Sequence, residues 1–292
     1  MRHRQTPWPK RSFSAFTPSL VRVFVMALFM TGHESMADGF QDGAKDGSPG
    51  DCRPDAVAVG PTCLDKYEAS LWFVPASQTR LISKIKSGTA SRKSVLSPAA
   101  VSAGVVQLGL SAGDLVAYGC PTTGNGCMNV YAVSVAGVDP ASFVTWFQAL
   151  ATARNSGKRL AMNQEWQAGA FGTPDAGFSP GPQDCNTYSS AKSLTGSRAN
   201  CKSDVAAFDM VGNVREWMAD WVPRSSAKCL GWGAFSDDFM CLAGADDSSA
   251  GGPGVIMRGG SFGIGAGAGV FAVSGDDLPT DALFVLGFRA AR

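Results

Sequence analysis

The sequence predicts a loop-rich domain of helices and short strands that is held together by disulfides, and three observations support this fold class. The chain of 292 residues is 45% hydrophobic and 17% charged, as expected of a protein that forms a core. It combines 35 glycines with 17 Phe and 7 Trp, a composition that favours loops packed on aromatic clusters. Its eight cysteines all follow residue 51, and in an exported chain an even number of cysteines predicts disulfides.

The first 37 residues have the layout of a secretory signal peptide. A basic leader runs into the apolar stretch 23–32, and Ser35 and Ala37 are the small residues that a signal peptidase reads. The apolar stretch is too short to span a bilayer. A retained anchor and a disordered N-terminus are the alternatives. We therefore expect an exported protein (periplasmic, secreted or at the cell surface) with a flexible lead-in at 38–51 and no membrane span after cleavage.

Removal of the signal peptide leaves a mildly acidic chain without histidine. It takes away five of the 25 Lys and Arg and one of the 24 Asp and Glu, which leaves 20 against 23, a net charge of −3. This charge gives no reason to expect nucleic acid as a partner. Because His3 and His33 are also removed, catalysis by a histidine base and histidine-ligated metal sites are excluded.

The cysteines are expected to form four disulfides. The sequence leaves their connectivity open, and pairing of neighbours along the chain is the simplest arrangement. No two cysteines form a C-x-x-C motif, which disfavours a zinc ribbon or a redox site. The neighbouring pairs are Cys52 with Cys63, Cys120 with Cys127, Cys185 with Cys201, and Cys229 with Cys241.

Along the chain, the patterns predict strands at 63–73, 255–262 and 286–291, and two helices. The first helix is expected to begin at Asp139-Pro140 and to stop at Gly157. The second is expected to start from Asn163 as its N-cap. Residues 243–254 are interpreted as a low-complexity linker, 269–273 as a strand, and the Asp pairs 237/238, 246/247 and 276/277 as solvated turns.

Four segments, in this order, resemble the formylglycine-generating or sulfatase-modifying-factor family. The resemblance covers most of residues 52–292, with Asp65-Lys66-Tyr67-Glu68 as the opening strand, and it implies an irregular α+β fold related to C-type lectins. The segments are the helix running into 157–166 (GKRLAMNQEW), 209–217 (DMVGNVREW), 257–262 (MRGGSF) and 286–289 (LGFR).

The same resemblance implies a structural calcium ion. Its ligands would be Asp209, the carbonyls of Gly212 and Val214, and Glu216, which together form an oxygen set suited to a hard cation. Alternatively, Glu216 is a buried carboxylate that pairs with Arg258 or Arg289.

The catalytic cysteines of that family are missing. Formylglycine generation uses two cysteines after the Arg-Gly-Gly-Ser segment, and the matching positions hold Ile264 and Gly269. An isoleucine and a glycine cannot build a soft-metal thiolate site, so no copper is expected. The iron-dependent relatives need histidines, so no iron is expected either.

Residues 263–285 (GIGAGAGVFAVSGDDLPTDALFV) resemble the variable region of proteins that are diversified by retroelements through adenine mutagenesis. Changing both adenines of an asparagine codon cannot produce Lys, Glu, Gln, Met or Trp. These five types account for 39 of the 292 residues, so about three would be expected in this segment, yet it contains none. The other interpretation is a plain glycine-rich loop of an inactive paralogue.

We therefore expect an exported, non-catalytic protein that binds a protein or cell-surface ligand through its C-terminal region, 258–292. An oxidoreductase with a non-standard site and a structural envelope protein are the alternatives. The residues expected to face the ligand are Gly263, Ile264, Gly267, Asp276, Asp277, Leu283, Phe284 and Val285.

Overall fold

A computed structural model describes residues 52–225, 229, 231–242 and 252–292. The predicted signal peptide, the lead-in and residues 243–251 of the predicted linker lie outside these ranges. The strands in the described parts are β1 (Ala56–Val59), β2 (Thr62–Asp65), β3 (Ser70–Phe73), β4 (Val106–Leu108), β5 (Val130–Val133), β6 (Arg159–Leu160), β7 (Arg215–Pro223), β8 (Met240–Cys241), β9 (Pro253–Arg258), β10 (Val273–Ser274), β11 (Leu286–Phe288) and β12 (Ala290–Ala291). The helices are α1 (Thr79–Lys86), α2 (Arg92–Leu96), α3 (Pro98–Ser102), α4 (Asp114–Ala117), α5 (Trp146–Asn155) and α6 (Asn163–Ala170).

The described strands form three small sheets. Their strand orders are β1-β2-β12-β6, β4-β3-β5 and β11-β7-β9-β10-β8. In the five-stranded sheet, β7 pairs with β11 in parallel and with β9 in antiparallel orientation. The predicted final strand divides into β11 and β12, which belong to different sheets, so the C-terminus ties two sheets together.

Strand β7 separates two hydrophobic clusters. Trp217 packs in a cluster with Leu71, Leu160 and Phe288, whereas Met218 packs on the opposite side with Trp166. Successive side chains of a strand point to opposite faces, and Trp217 and Met218 follow this alternation. Burial on both faces makes β7 a rigid support for the loops attached to it.

The first predicted helix begins later than its apparent start signal. It begins at Trp146, and the prediction of a start at Asp139-Pro140 is wrong. Thr145 accepts a hydrogen bond from the Gln148 backbone, while the Gln148 side chain accepts one from the Thr145 backbone. This reciprocal capping box fixes the start. Phe143 has φ +52°, outside the helical region.

Other predicted elements were too long. The predicted strand at 63–73 is interrupted and forms β2 and β3, which lie in separate sheets. The predicted strand at 255–262 ends at Arg258, because Gly259 and Gly260 turn the chain at φ +84° and +76°. Residues 269–272 form a turn, and the strand there starts only at Val273.

Four disulfides link the neighbouring cysteines that the simplest pairing suggests. They join Cys52 to Cys63, Cys120 to Cys127, Cys185 to Cys201 and Cys229 to Cys241. This number of disulfides indicates an oxidising environment. Within the described residues, none of the helices has the length and apolar character that a bilayer crossing requires.

Candidate ligand-binding face

The eight residues predicted to face a ligand all reach the surface. Gly263, Leu283 and Phe284 are exposed, and the exposed fraction of Phe284 is 56%. Ile264, Gly267, Asp276, Asp277 and Val285 are half-buried. We call these eight residues the C-terminal face.

Arg215, at the start of β7, connects several parts of this face. Its backbone N–H donates a hydrogen bond to the Val285 carbonyl over 2.8 Å. Its guanidinium lies 3.8 Å from the Asp277 carboxylate and 5.4 Å from the centre of the Phe239 ring. Phe239 in turn donates a backbone hydrogen bond to the Gly267 carbonyl over 3.2 Å. Arg215 thereby connects residues that are distant in sequence, through its backbone, its guanidinium and its contact with Phe239.

Two exposed aromatic residues that the sequence analysis missed extend this surface. Phe178 and Tyr188 are 61% and 55% exposed, and their rings meet edge to face with centroids 5.4 Å apart. Tyr188 forms a β-bridge with Gly263. The ring of Phe262, the residue before Gly263, has its centroid 6.0 Å from that of the Phe284 ring. Phe178 and Tyr188 lie in loops without helical or strand periodicity, so the sequence carried no local signal for their position.

The glycines of the segment differ in the space around them. A side-chain carbon added at Gly263 would meet no atom within 4 Å, and one at Gly267 would only reach ordinary contact with Phe239 at 3.5 Å. A carbon added at Gly260 would lie 2.6 Å from the Ala268 backbone, and one at Gly269 would overlap the Asp238 carboxylate. The two glycines on the C-terminal face can therefore carry side chains, whereas those behind it cannot.

A cavity of about 740 Å³ lies beside the face and was not predicted. Its apolar wall includes Phe171, Trp232 and Phe271, and the Trp232 and Phe271 rings lie 6.5 Å apart. Its polar lining includes Gln167 and Arg258. A concave apolar site with a few polar groups is the usual form of a small-ligand pocket. Phe271 and Val273 belong to the segment 263–285, whereas Phe171 and Trp232 come from other parts of the chain.

At the predicted calcium site, Glu216 is held by protein groups. One oxygen, Oε1, accepts a hydrogen bond from Arg289 over 2.8 Å, and Oε2 accepts one from the Trp166 indole over 2.6 Å. Of the two ion pairs considered for Glu216, the structure contains the one with Arg289. Asp209 accepts a hydrogen bond from the Gly196 backbone over 2.6 Å.

Three buried carboxylates lie around Arg289. The buried carboxylate of Glu68 accepts hydrogen bonds from the Asn213 amide and the Val214 backbone. Burial, together with Asp209 and Glu216, raises the pKa of Glu68 well above its usual range. Burial also raises the pKa of Asp209 to about 6. Glu68, Asp209 and Glu216 thus lie around the Arg289 guanidinium, and Arg198 and Lys192 act on two of them from a longer distance. Such a group of buried carboxylates suits protons or a hard cation.

The turn that carries the predicted calcium ligands has an unusual backbone. Asp209, Gly212 and Asn213 have φ values of +58°, +75° and +54°. A side chain at Gly212 would collide with the Asn186 carbonyl. Such left-handed residues are costly for non-glycine side chains and persist only where the surrounding structure holds them.

The positions that match the catalytic cysteines carry no reactive group. Ile264 is half-buried and Gly269 is buried. All eight cysteines are in disulfides, so none of them offers a free thiol. Asp277 of the face is also titratable, and burial together with the neighbouring Asp276 raises the pKa of Asp277 to about 6, against a lowering by Arg215.

Comparison with known proteins identifies the family and the fold. Residues 106–292 match the family described as the sulfatase-modifying factor enzyme 1-like domain. No curated protein sequence matches the chain. This match, the mixed helix and sheet content and the four disulfides confirm the predicted α+β fold class.

Among solved structures, the M1 variant of the Major Tropism Determinant is similar over 50% of this chain and 37% of its own, at 19% identity and a TM-score of 0.37. The chain therefore spans little more than a third of that protein. CarF is similar over 80% of this chain and 87% of its own, at 16% identity and a TM-score of 0.38. Variable protein 1 of Treponema denticola is similar over 52% of this chain and 70% of its own, at 19% identity and a TM-score of 0.33.

Proposed function

The chain belongs to the sulfatase-modifying factor enzyme 1-like family, and we propose that it uses this scaffold for ligand binding rather than catalysis. In this proposal it is an exported protein that binds a protein or cell-surface ligand through the C-terminal face. The observation that carries the proposal is that the eight predicted residues all reach the surface, with two open glycine positions among them.

The exposed apolar groups of the face support a binding role. Leu283 and Phe284 are 38% and 56% exposed. Phe178 and Tyr188 add two exposed rings, and Tyr188 is bridged to Gly263. Large apolar side chains grouped at a surface mark interaction sites. Aromatic rings supply contact area at low conformational cost, as they do in other adaptable binding surfaces.

The space around Gly263 and Gly267 supports the proposal that the face is diversified. Both positions accept a side chain without displacing the backbone. Residues at these two positions can therefore differ between related chains without a cost to the fold, which is the requirement for a variable binding surface.

Two observations argue against the oxidoreductase alternative. The positions that would hold catalytic thiols are Ile264 and Gly269, and every cysteine is in a disulfide. The fold alone does not supply the activity of its relatives, because function depends on the groups placed in the site.

We retain calcium as a structural ion in this proposal. Asp209, the carbonyls of Gly212 and Val214, and Glu216 would hold it, and the group of buried carboxylates around Arg289 supports a cation there. Bound calcium would supply positive charge that stabilises the turn at 209–213. No reaction step depends on it.

A display experiment tests the binding role. The exported chain is displayed with Gly263, Gly267, Leu283 and Phe284 randomised and is selected for binding to immobilised lysozyme as a probe of adaptability. We expect folded variants and binders. A matched library at Gly260 and Gly269, where side chains collide, is expected to yield few folded molecules. Equal yields from the two libraries would contradict the proposal.

Two further measurements bear on the natural ligand and on catalysis. The labelled wild-type chain is applied to an array of bacterial surface glycans and proteins. Any specific signal should fall at least tenfold in the Leu283→Ser/Phe284→Ser variant and persist in Val101→Ser, which alters an exposed apolar residue of α3.

Bound copper or iron together with oxidation of a cysteine-containing peptide would establish the oxidoreductase instead.

A further inference from the structure

A second group of carboxylates lies outside the family's calcium site. It consists of Asp175, Asp237 and Asp238, whose ligand oxygens all lie within 4.8 Å of one another. Asp175 and Asp237 are exposed, whereas Asp238 is only 2% exposed. The expectation that the pair 237/238 forms a solvated turn is therefore wrong for Asp238.

Asp238 has an oxygen without a partner. Its Oδ2 accepts a hydrogen bond from the Phe271 backbone over 2.7 Å. Its Oδ1 is buried and has no hydrogen-bond partner among the described residues. A buried, unpartnered carboxylate oxygen is costly, and such groups are normally satisfied by a donor, a water molecule or a metal ion.

Protein cations do not neutralise this cluster. Among the described residues, no Lys or Arg lies within 4.0 Å of any of the three carboxylates. Arg258 is close enough for Asp238 to affect its pKa, but its guanidinium donates to the carbonyls of Ala272 and Val270 over 2.9 and 3.2 Å. Burial and the two neighbouring carboxylates raise the pKa of Asp238 to about 6, although the Phe271 hydrogen bond lowers it.

We propose that Asp175, Asp237 and Asp238 bind a hard divalent cation of the calcium type. Calcium lies about 2.3–2.6 Å from its oxygen ligands, so two ligands of one ion can be up to about 5 Å apart. The mutual spacing of the three carboxylates fits this limit. Three carboxylates on irregular loops supply the negative charge and the flexible geometry that calcium accepts, and solvent can complete its coordination.

The cation would join separate segments of the chain. Asp175 follows α6 and lies in the loop that continues to Phe178, whereas Asp237 and Asp238 precede β8. Through its Phe271 hydrogen bond, Asp238 also holds the turn between Gly269 and Val273. One ion would therefore brace the cavity wall at Phe271 and the loop that carries Phe178. This site does not rest on the proposed ligand-binding function.

Calorimetric titration of the EDTA-treated exported chain with calcium chloride tests the proposal. We expect the wild-type chain to bind one more calcium ion than the Asp175→Asn/Asp237→Asn variant, or to bind at this site at least tenfold more tightly. Dissociation constants on the order of 0.1–1 mM are usual for extracellular modules. Both substitutions are at exposed positions and keep the side-chain shape, so the fold should persist.

The control is Asp204→Asn, which removes a charge from an exposed carboxylate outside the cluster and should bind calcium as the wild type does. The site at Asp209 and Glu216 is unchanged in all three proteins, so any binding there contributes equally to each. Equal stoichiometry and affinity in the wild type and the double variant, or no calcium binding by the wild type, would overturn the proposal. No other ligand is present, so this result does not depend on the outcome of the binding experiments above.

Discussion

The frame around β7 and the C-terminal face differ in how tightly their residues are held. In the frame, Glu216 and Arg289 are buried together, and Trp217 is packed between strands. In the face, Phe284 is half exposed, and Gly263 has open space where a side chain would be. The buried contacts that determine the fold are therefore concentrated in the frame. We therefore expect substitutions at exposed residues of the face to cost less stability than substitutions in the frame.

Removing the frame's central ion pair should have the largest effect. The Glu216→Ala variant would leave the Arg289 guanidinium buried and would also remove the acceptor of the Trp166 indole. We expect the free energy of unfolding to fall by about 3–5 kcal/mol, the usual cost of breaking a buried pair on one side. Urea denaturation, followed by tryptophan fluorescence, measures the change.

Glu165→Ala is the matched control, because Glu165 pairs with the partly exposed Arg159. This substitution should lower the free energy of unfolding by about 1 kcal/mol, because exposed ion pairs and helix caps each contribute little. An equal cost for the two variants would show that the frame is not held by its buried pair. Repeating the measurements of the wild type and of Glu216→Ala with calcium and with EDTA would sharpen the comparison. The proposed ion at Glu216 should stabilise the wild type but not Glu216→Ala, whereas an ion at Asp175, Asp237 and Asp238 would stabilise both.

Two glycines three residues apart provide the second test. A side chain at Gly260 requires a left-handed backbone and lies 2.6 Å from Ala268, whereas one at Gly263 is unobstructed. We expect Gly260→Ala to lower the free energy of unfolding by about 2–4 kcal/mol. Gly263→Ala should change it by less than about 0.5 kcal/mol. Thermal unfolding of the two variants measures the difference, and a similar loss in both would remove the distinction between frame and face.

The sequence predicted the frame better than the face. The segments around Gly212, Gly260 and Phe288 lie close to β7 and β9, and their residue types are dictated locally by turns and by burial on alternate sides of a strand. The nearest-neighbour disulfides followed from the short spacing of the cysteines. These features depend on residues that are close together in the sequence, so the sequence alone can predict them.

Features that depend on contacts between distant loops could not be predicted. Phe178 and Tyr188 reach the face through loops that have no periodic pattern. The burial of Asp238 depends on the Phe271 backbone, 33 residues further along the chain. The late start of α5 is a local feature. The sequence offers two start signals, Asp139-Pro140 and the capping box at Thr145, and the helix begins at the second.

The smallest expected effect concerns a residue between the two regions. Asp277 belongs to the face but is half-buried beside Arg215 of the frame, and burial raises its pKa to about 6. The folded protein therefore binds a proton here more readily than the unfolded chain, whose Asp has a pKa of about 3.9. The ionised form of Asp277 is less favourable in the folded protein than in the unfolded chain. The contribution of Asp277 to the free energy of unfolding therefore falls as the pH rises from about 4 to 6.

The Asp277→Asn variant removes that titration and retains the side-chain shape. Relative to this variant, the wild type should be more stable at pH 4.5 than at pH 7.5, by less than about 1 kcal/mol because solvent screens the half-buried group. Urea denaturation of both proteins at the two pH values measures the difference. A wild type that instead gains stability relative to the variant at pH 7.5 would show that the Arg215 pair outweighs burial, and Asp277 would then belong to the frame.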